Sequence, residues 1–250
     1  MHEESPRRLA RIAGALYLVV IVGGFFAIGY VPGAIVVSGD PAATAHNIST
    51  HETLYRWGLV AHLIVLLCNV PLAVIFYELF KVVSRRVSLL VVFFTLVGTA
   101  VEGANLINQF APLTLLDGGV YSGALTAQQP QALVYLQLDS QAISYHVIQV
   151  FFSLYIVSAA YLIFRATFFP SALGVLLGIG GVSYLISSFA SFVSPGFAAL
   201  LLPYILIPGG VGEVSLCLWL LIAGVNVQRW KDQAAAATEL GIHAPRRASA

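Results

Sequence analysis

Apolar residues along this chain fall into six long blocks separated by short polar connections: residues 9–30, 55–80, 87–113, the later part of 131–164, 171–192 and 203–227. Each block holds close to the 20 or so residues that cross roughly 30 Å of hydrocarbon at about 1.5 Å per residue. Within the blocks, apolar residues run on without alternating with polar ones. Strands of a membrane barrel would alternate, whereas helices satisfy their own backbone hydrogen bonds in lipid. The pattern predicts an all-α fold: a polytopic membrane protein with a six-transmembrane-helix bundle. One domain spans residues 1–232, and a disordered cytoplasmic tail covers 233–250, which is Ala-rich, mixed in charge and broken by Gly and Pro.

Composition strengthens this reading. Hydrophobic residues make up 59% of the chain and charged residues 9%, against about 25% charged in an average globular protein. With a mean hydropathy of +0.89, these residues cannot build a water-facing surface. The net charge of +1 conceals a strong asymmetry, because eleven of the twelve Lys and Arg residues fall on one side of the predicted spans. Arg7, Arg8 and Arg11 precede the first span, and Lys81, Arg85 and Arg86 join the second to the third. Arg165 joins the fourth to the fifth, while Arg229, Lys231, Arg246 and Arg247 follow the sixth. Only Arg56 lies on the other side. Short cytoplasmic loops retain positive charge, so both termini are expected in the cytoplasm and the protein in the inner membrane.

The first block also has signal-peptide features, with Ala27-Ile28-Gly29 as a small-x-small cleavage site. Its apolar stretch, residues 12–28, is longer than a usual h-region, so an uncleaved anchor is expected. Cys68 and Cys217 fall in mid-span and read as small buried apolar residues rather than a disulfide.

Two connections opposite the basic side are long. In residues 39–57, Asp40 in N-cap position and Pro41 in the first turn predict a short helix leading into the second span. That segment carries His46, His51 and Glu52, which could touch a metal or polar ligand or be merely solvated. The other connection, 117–141, is Gly-rich and then amphipathic, and is expected to lie along the outer surface before turning inward. There is no Gly-rich phosphate loop, HExxH, CxxC or GxSxG, so no soluble enzymatic module is expected, and the motifs leave any cofactor unknown. No basic amphipathic face extends beyond the loops, which argues against a nucleic-acid partner and leaves membrane lipids as the expected surroundings. The likeness of AGALYLVVIVGG to LGVLLGIGGVSY joins the first and fifth spans and does not amount to a three-plus-three repeat.

DPAATAHNISTHETLYRWG leading into a span, RIAGALYLVVIVGG in the first and FFPSALGVLLGIGGVSYLI in the fifth resemble the bacterial membrane family catalogued as domain of unknown function 4386. The resemblance covers roughly residues 7–230, although that family more often has a basic residue where Ser171 stands. It implies the six-helix fold. It implies no reaction and therefore no catalytic residue.

Polar residues inside the spans carry what chemistry the chain has. An ionised side chain at the bilayer centre costs at least about 2.5–3.5 kcal/mol, so such residues usually face the bundle interior and mark function. The stretch VEGANLINQF in the third span places Glu102, Asn105 and Gln109 at i, i+3 and i+7, on one stripe, with Asn108 off it. His146 and Gln149 share a face of the fourth span, and His62 and Asn69 a face of the second. His62 lies 19 residues before Lys81, His146 19 before Arg165, Glu213 18 before Lys231 and Glu102 16 after Arg86. All four are thus expected in one layer of the outer leaflet, about 24–29 Å from the basic boundary.

Their convergence would make an outward-facing polar pocket lined by Glu102, Asn105, Gln109, His62, His146, Gln149 and Glu213, able to bind a small ligand, a lipid or a proton. Neutral imidazoles and carboxylates also suit a divalent metal, and His62, His146, Glu102 and Glu213 could form the site of a metal-dependent hydrolase acting on a lipid. A third reading is structural: Glu102 bonded to His146 or His62 as a strut between helices.

The remaining polar positions are weaker. Pro203, Pro208, Gly209, Gly210 and Gly212 ahead of Glu213 predict either a broken helix at a site or a kinked helix packed through glycine, as Gly174 and Gly178 would pack in the fifth span. Tyr184, Ser187, Ser188 and Ser191 form a mild polar face that could line the same cavity. Glu78 should pair with cations at its helix end, Asp139 should be wet, and Tyr55, Trp57 and Trp230 fit an interfacial aromatic belt.

Overall fold

The computed structural model describes residues 5–117 and 128–239. Helix α1 (Pro6–Gly24) passes through a π-helical segment, Phe25–Tyr30, into α2 (Val31–Ile35), so that one continuous span covers Pro6–Ile35. Next come the short α3 (Pro41–Thr50), α4 (Glu52–Phe80), α5 (Arg85–Leu116), α6 (Gln129–Arg165) and α7 (Ser171–Val193). A short α8 (Pro195–Leu201) and a 3-10 turn, Tyr204–Leu206, lead to α9 (Ile207–Ile222), and α10 (Val227–Glu239) completes the described chain. Among the described residues there is no strand, and six helices are long and apolar enough to cross a membrane.

Local sequence explains where these helices start and stop. Asp40 accepts a hydrogen bond from the Ala43 N–H at 2.9 Å, with Pro41 in the first turn of α3, as its sequence predicts. The Ser84 hydroxyl accepts from the Val87 N–H at 3.4 Å at the start of α5. Gly224, at φ +66°, turns the chain out of α9 in the left-handed region that favours glycine, and its N–H returns to the Trp219 carbonyl at 2.8 Å.

The spans close into a ring: α1 packs on α4, α4 on α5, α5 on α6, α6 on α7, α7 on α9, and α9 back on α1. Glycine sets how closely several of these pairs approach. A Cβ on Gly174 would come within 2.6 Å of the Phe164 backbone nitrogen, and one on Gly180 within 2.6 Å of the Gly209 Cα. A Cβ on Gly14 would meet the Leu221 nitrogen at 2.8 Å. Between helices in lipid, where burying apolar surface gains little, such close contact supplies the packing attraction. Leu67, Phe93, Ile179 and Ile222 meanwhile point outward in the exposed belt expected of lipid-facing surface.

Two cores fill the ring. At the basic end, Tyr17, Phe76, Phe80, Tyr155, Leu177 and Leu216 bring all of the spans except α5 together, and Val91 adds α5. Phe80 stacks on Phe168 and Phe169 in the α6–α7 connection, with ring centroids 5.9 and 5.5 Å away. At the other end a smaller core holds Ile35, Ile48, Tyr55, Leu59, Leu106 and Val134, from which α7 and α9 are missing.

Several expectations need correction. Residues 129–141 do not lie along the surface: they are the first turns of α6, an unbroken helix of 37 residues. Val134 is fully buried against the second core, and Tyr135 meets the Gly39 N–H at 2.8 Å, so tertiary contacts hold this amphipathic stretch upright. The rest of that connection, 118–127, lies outside the described residues. The sixth span is shorter than residues 203–227, and its irregular part, 202–206, precedes the glycines. Pro208 sits in the first turn of α9, and Gly209, Gly210 and Gly212 lie in regular helix, which supports glycine packing rather than an opened backbone. A Cβ on Gly178 would meet Ala160 only in ordinary contact, at 3.6 Å. α10 continues through Glu239, into the stretch expected as a tail. It is docked by Trp230, whose indole N–H donates to the Leu79 carbonyl at 2.9 Å, and by Gln233, which accepts from Thr167. Residues 240–250 lie outside the described chain.

These contacts predict opposite outcomes for neighbouring glycines. Gly174→Ala, whose new methyl would meet backbone on α6, should lower the thermal unfolding midpoint in detergent, at a cost of about 1–3 kcal/mol. Gly210→Ala, with nothing within 4 Å of the added carbon, should leave the midpoint unchanged or raise it slightly.

Candidate functional site

The third-span stripe finds its partner on the second span. His62 is buried at 2% exposure, with its Nε2 2.8 Å from Glu102 Oε1 and its Nδ1 3.1 Å from Gln109 Oε1. Gln109 Oε1 can only accept, so Nδ1 carries the hydrogen that joins them. One proton then lies between Nε2 and the Glu102 carboxyl, because two lone pairs would repel at that distance. Whether it sits on nitrogen or oxygen, the pair has no net charge, which removes most of the cost of a lone ion in hydrocarbon. Tyr55, seven residues before His62 on the same face of α4, donates its hydroxyl to the Gln109 carbonyl at 2.7 Å. Gln109 is thereby held at both its backbone and its side chain.

Gln109 and Tyr55 also border a cavity of about 240 Å³ at the end of the bundle that carries α3. Its apolar wall comes from Ala27, Val31, Ile35, Leu59 and Leu138, and its polar groups from Ser38, Tyr55, Gln109, Tyr135, Asp139 and Gln141. The π-helical segment and α2 form one side and the first turns of α6 the other. The stretch expected to lie flat on the membrane thus supplies a wall of the cavity. His62 and Glu102 stand behind Gln109, one residue removed from this space.

The other candidates are distributed elsewhere. Asn105 donates to the Gln141 carbonyl on α6 at 3.2 Å and accepts from Asn108 at 2.8 Å. His146 is on the fourth-to-fifth-span contact: its ring meets Phe192 edge-on at 6.2 Å, and its Nδ1 has no partner among the described residues. Gln149 Oε1 accepts from Ser188 on α7 at 3.0 Å. Glu213 meets the Tyr184 phenol across the α7–α9 contact. Tyr145 lies within electrostatic reach of both Glu102 and Glu213. Gln109, His62 and Glu102 come together, while Asn105, His146 with Gln149, and Glu213 belong to three other contacts.

For a metal the distribution is decisive in one respect: among the described residues, no three His, Cys, Asp or Glu side chains are grouped to hold one. His46 and His51 make local contacts within α3, with Thr50 and the Asn47 carbonyl, and Glu52 bonds Arg56 at 2.6 Å. Cys68 and Cys217 are free, and the Cys217 thiol contacts the Gly14 carbonyl. Glu78 pairs with Lys81, as its place at the helix end predicts. Ser183, Ser188 and Ser191 return their hydroxyls to their own helix backbone.

Sequence reasoning missed the aromatic and acidic members of the cavity. Tyr55 read as an interfacial anchor but is buried, while Asp139 is exposed, as its sequence position suggested, and also borders the cavity. The signal was present in the helical phase, since Tyr55 and His62 are seven apart, as are Tyr135 and Ala142 on α6. Extending α6 back to Gln129 would have placed Tyr135, Leu138 and Ala142 on one inward face.

Fold and side-chain placement define a polytopic helical membrane protein whose polar groups are gathered between its spans. The chain belongs to the family described as Domain of unknown function (DUF4386), whose model matches residues 12–224, as the motifs in the first, second and fifth spans imply. No curated protein and no solved structure matches it.

Removing both members of the buried pair should cost less than the two single losses added together. Glu102→Leu strands the His62 nitrogen, so unfolding in mixed detergent micelles should show a loss of about 3–5 kcal/mol. The double variant His62→Leu/Glu102→Leu should recover about 1–3 kcal/mol of the summed single losses. Strict additivity would show that the two side chains do not bond.

Proposed function

We propose that this membrane protein binds a small molecule in the cavity between the first, second and fourth spans, with the His62–Glu102 pair as its buried support. The observation that carries this reading is the double role of Gln109. Its side chain borders the cavity and is held from behind by His62, so an occupant that engages the Gln109 amide also bears on the shared proton. Apolar walls with a few convergent polar groups are the usual composition of a ligand site. The cavity is near the small end of such sites, which favours a small occupant over a whole lipid.

The basic end of the bundle then faces the cytoplasm, with both termini, and the cavity opens on the opposite side of the inner membrane. Support comes from the Lys and Arg distribution around the short connections. One observation favours a second, structural reading of the pair itself: both His62 nitrogens are already bonded within the protein. As a strut, the pair would fix the register of α4 against α5 without sensing any ligand.

Native mass spectrometry of the protein extracted in mild detergent should reveal a bound small molecule. Ala142→Trp, placed at the exposed rim of the cavity, should abolish that adduct while leaving the unfolding midpoint within a few degrees. An adduct that survives the substitution would place binding elsewhere. Orientation is tested with cysteines introduced after Cys68 and Cys217 are replaced by Ala. Thr50→Cys should react with an impermeant maleimide in intact cells, and Asp232→Cys only after lysis.

A further inference from the structure

Resting on the ligand reading above, we propose that the occupant of the cavity is a small organic cation: an ammonium group on an apolar body, with a neutral oxygen. The charge around the cavity is one-sided. Among the described lining residues Asp139 is the only charged side chain, and none is Lys, Arg or His. The nearest basic residue in sequence, Arg56, is exposed and committed to Glu52 at 2.6 Å. The His62–Glu102 pair behind the wall adds no net charge. A lone carboxylate at the exposed rim of an apolar-walled space gives that space a negative potential, which attracts a cation and repels an anion. Two tyrosines, Tyr55 and Tyr135, border the same space, and phenol rings attract an ammonium group.

The free hydrogen-bonding capacity points to the oxygen. One lone pair of Gln109 Oε1 is taken by His62, and the Gln109 amide keeps its N–H groups to donate. The Tyr135 hydroxyl accepts from the Gly39 N–H at 2.8 Å and keeps its own hydrogen to donate. Both seek an acceptor on the ligand. At about 240 Å³ the cavity lies below the roughly 300–1,000 Å³ of drug-sized pockets, which restricts the body to one ring or a short branched chain.

An isosteric series separates the charge from the body. Phenethylammonium, 2-phenylethanol and phenylacetate are titrated calorimetrically into the full chain in detergent. The ammonium compound should bind about fivefold or more tightly than the alcohol, and phenylacetate most weakly. Asp139→Asn, a change at an exposed position, should reduce the preference for ammonium over alcohol to about twofold or less, with the unliganded unfolding midpoint unchanged. Equal affinity for the ammonium compound and the alcohol, or tighter binding of phenylacetate, overturns the cation assignment. In that case, loss of all binding in Ala142→Trp would leave the cavity reading standing. If the ammonium compound binds Ala142→Trp as well as the parent protein, the cavity reading itself fails. No binding of any of the three at millimolar concentration overturns the cation assignment, and the copurifying adduct then decides the cavity separately.

Discussion

Hydrocarbon offers no hydrogen bonds, and this constraint shapes how polar side chains are placed within the six spans. Glu102 is tolerable in the third span because His62 in the second reaches it at 2.8 Å and the two share one proton. Gln109 is tolerable because His62 and Tyr55 hold it from two directions. The same requirement ties Gln149 to Ser188 and Asn105 to the α6 backbone. Each bond crosses from one helix to another, so satisfying the polar groups also sets how the helices are rotated. The ring of spans is consequently specified at its polar positions as much as by its apolar packing.

Close packing is supplied at different places. Gly14, Gly174 and Gly180 let backbones meet at distances no Cβ would permit, on the contacts that α1 makes with α9 and α7 makes with α6 and α9. The polar bonds of Glu102 and Gln109 lie instead between α4 and α5, where a Cβ on Gly103 would meet only the Leu66 side chain, at 3.8 Å. Glycine seams thus close the α1–α9, α6–α7 and α7–α9 contacts, and a hydrogen-bonded seam of a second kind joins α4 to α5. The second kind leaves room near its end, and the cavity is found there, between α2, α4 and α6.

Electrically the molecule is polarised. Most of its cations gather at one end, where Trp230 and Gln233 on α10 brace the connections of the spans. Among the described residues that line the cavity at the other end, Asp139 alone is charged. A ligand entering from that end meets the opposite sign from one approaching the basic end. This asymmetry gives the site its selectivity under the reading proposed here.

Hydropathy alone determined the number of spans, their order and the two ends of the bundle, because the cost of exposing backbone and charge to lipid depends on composition and spacing rather than on the final packing. Asp40 and Pro41 likewise made the start of α3 legible, since capping is local. Periodicity also found the stripe of Glu102, Asn105 and Gln109. It could not say which of three histidine-bearing or acidic faces would meet that stripe, because the rotation of neighbouring helices is a property of the assembled ring. Tertiary structure brought His62 to Glu102, turned His146 toward Phe192, and set Glu213 against Tyr184. It also held residues 129–141 upright as helix, where burial of Val134 outweighs the polar character that suggested a surface segment, and in doing so made the cavity wall.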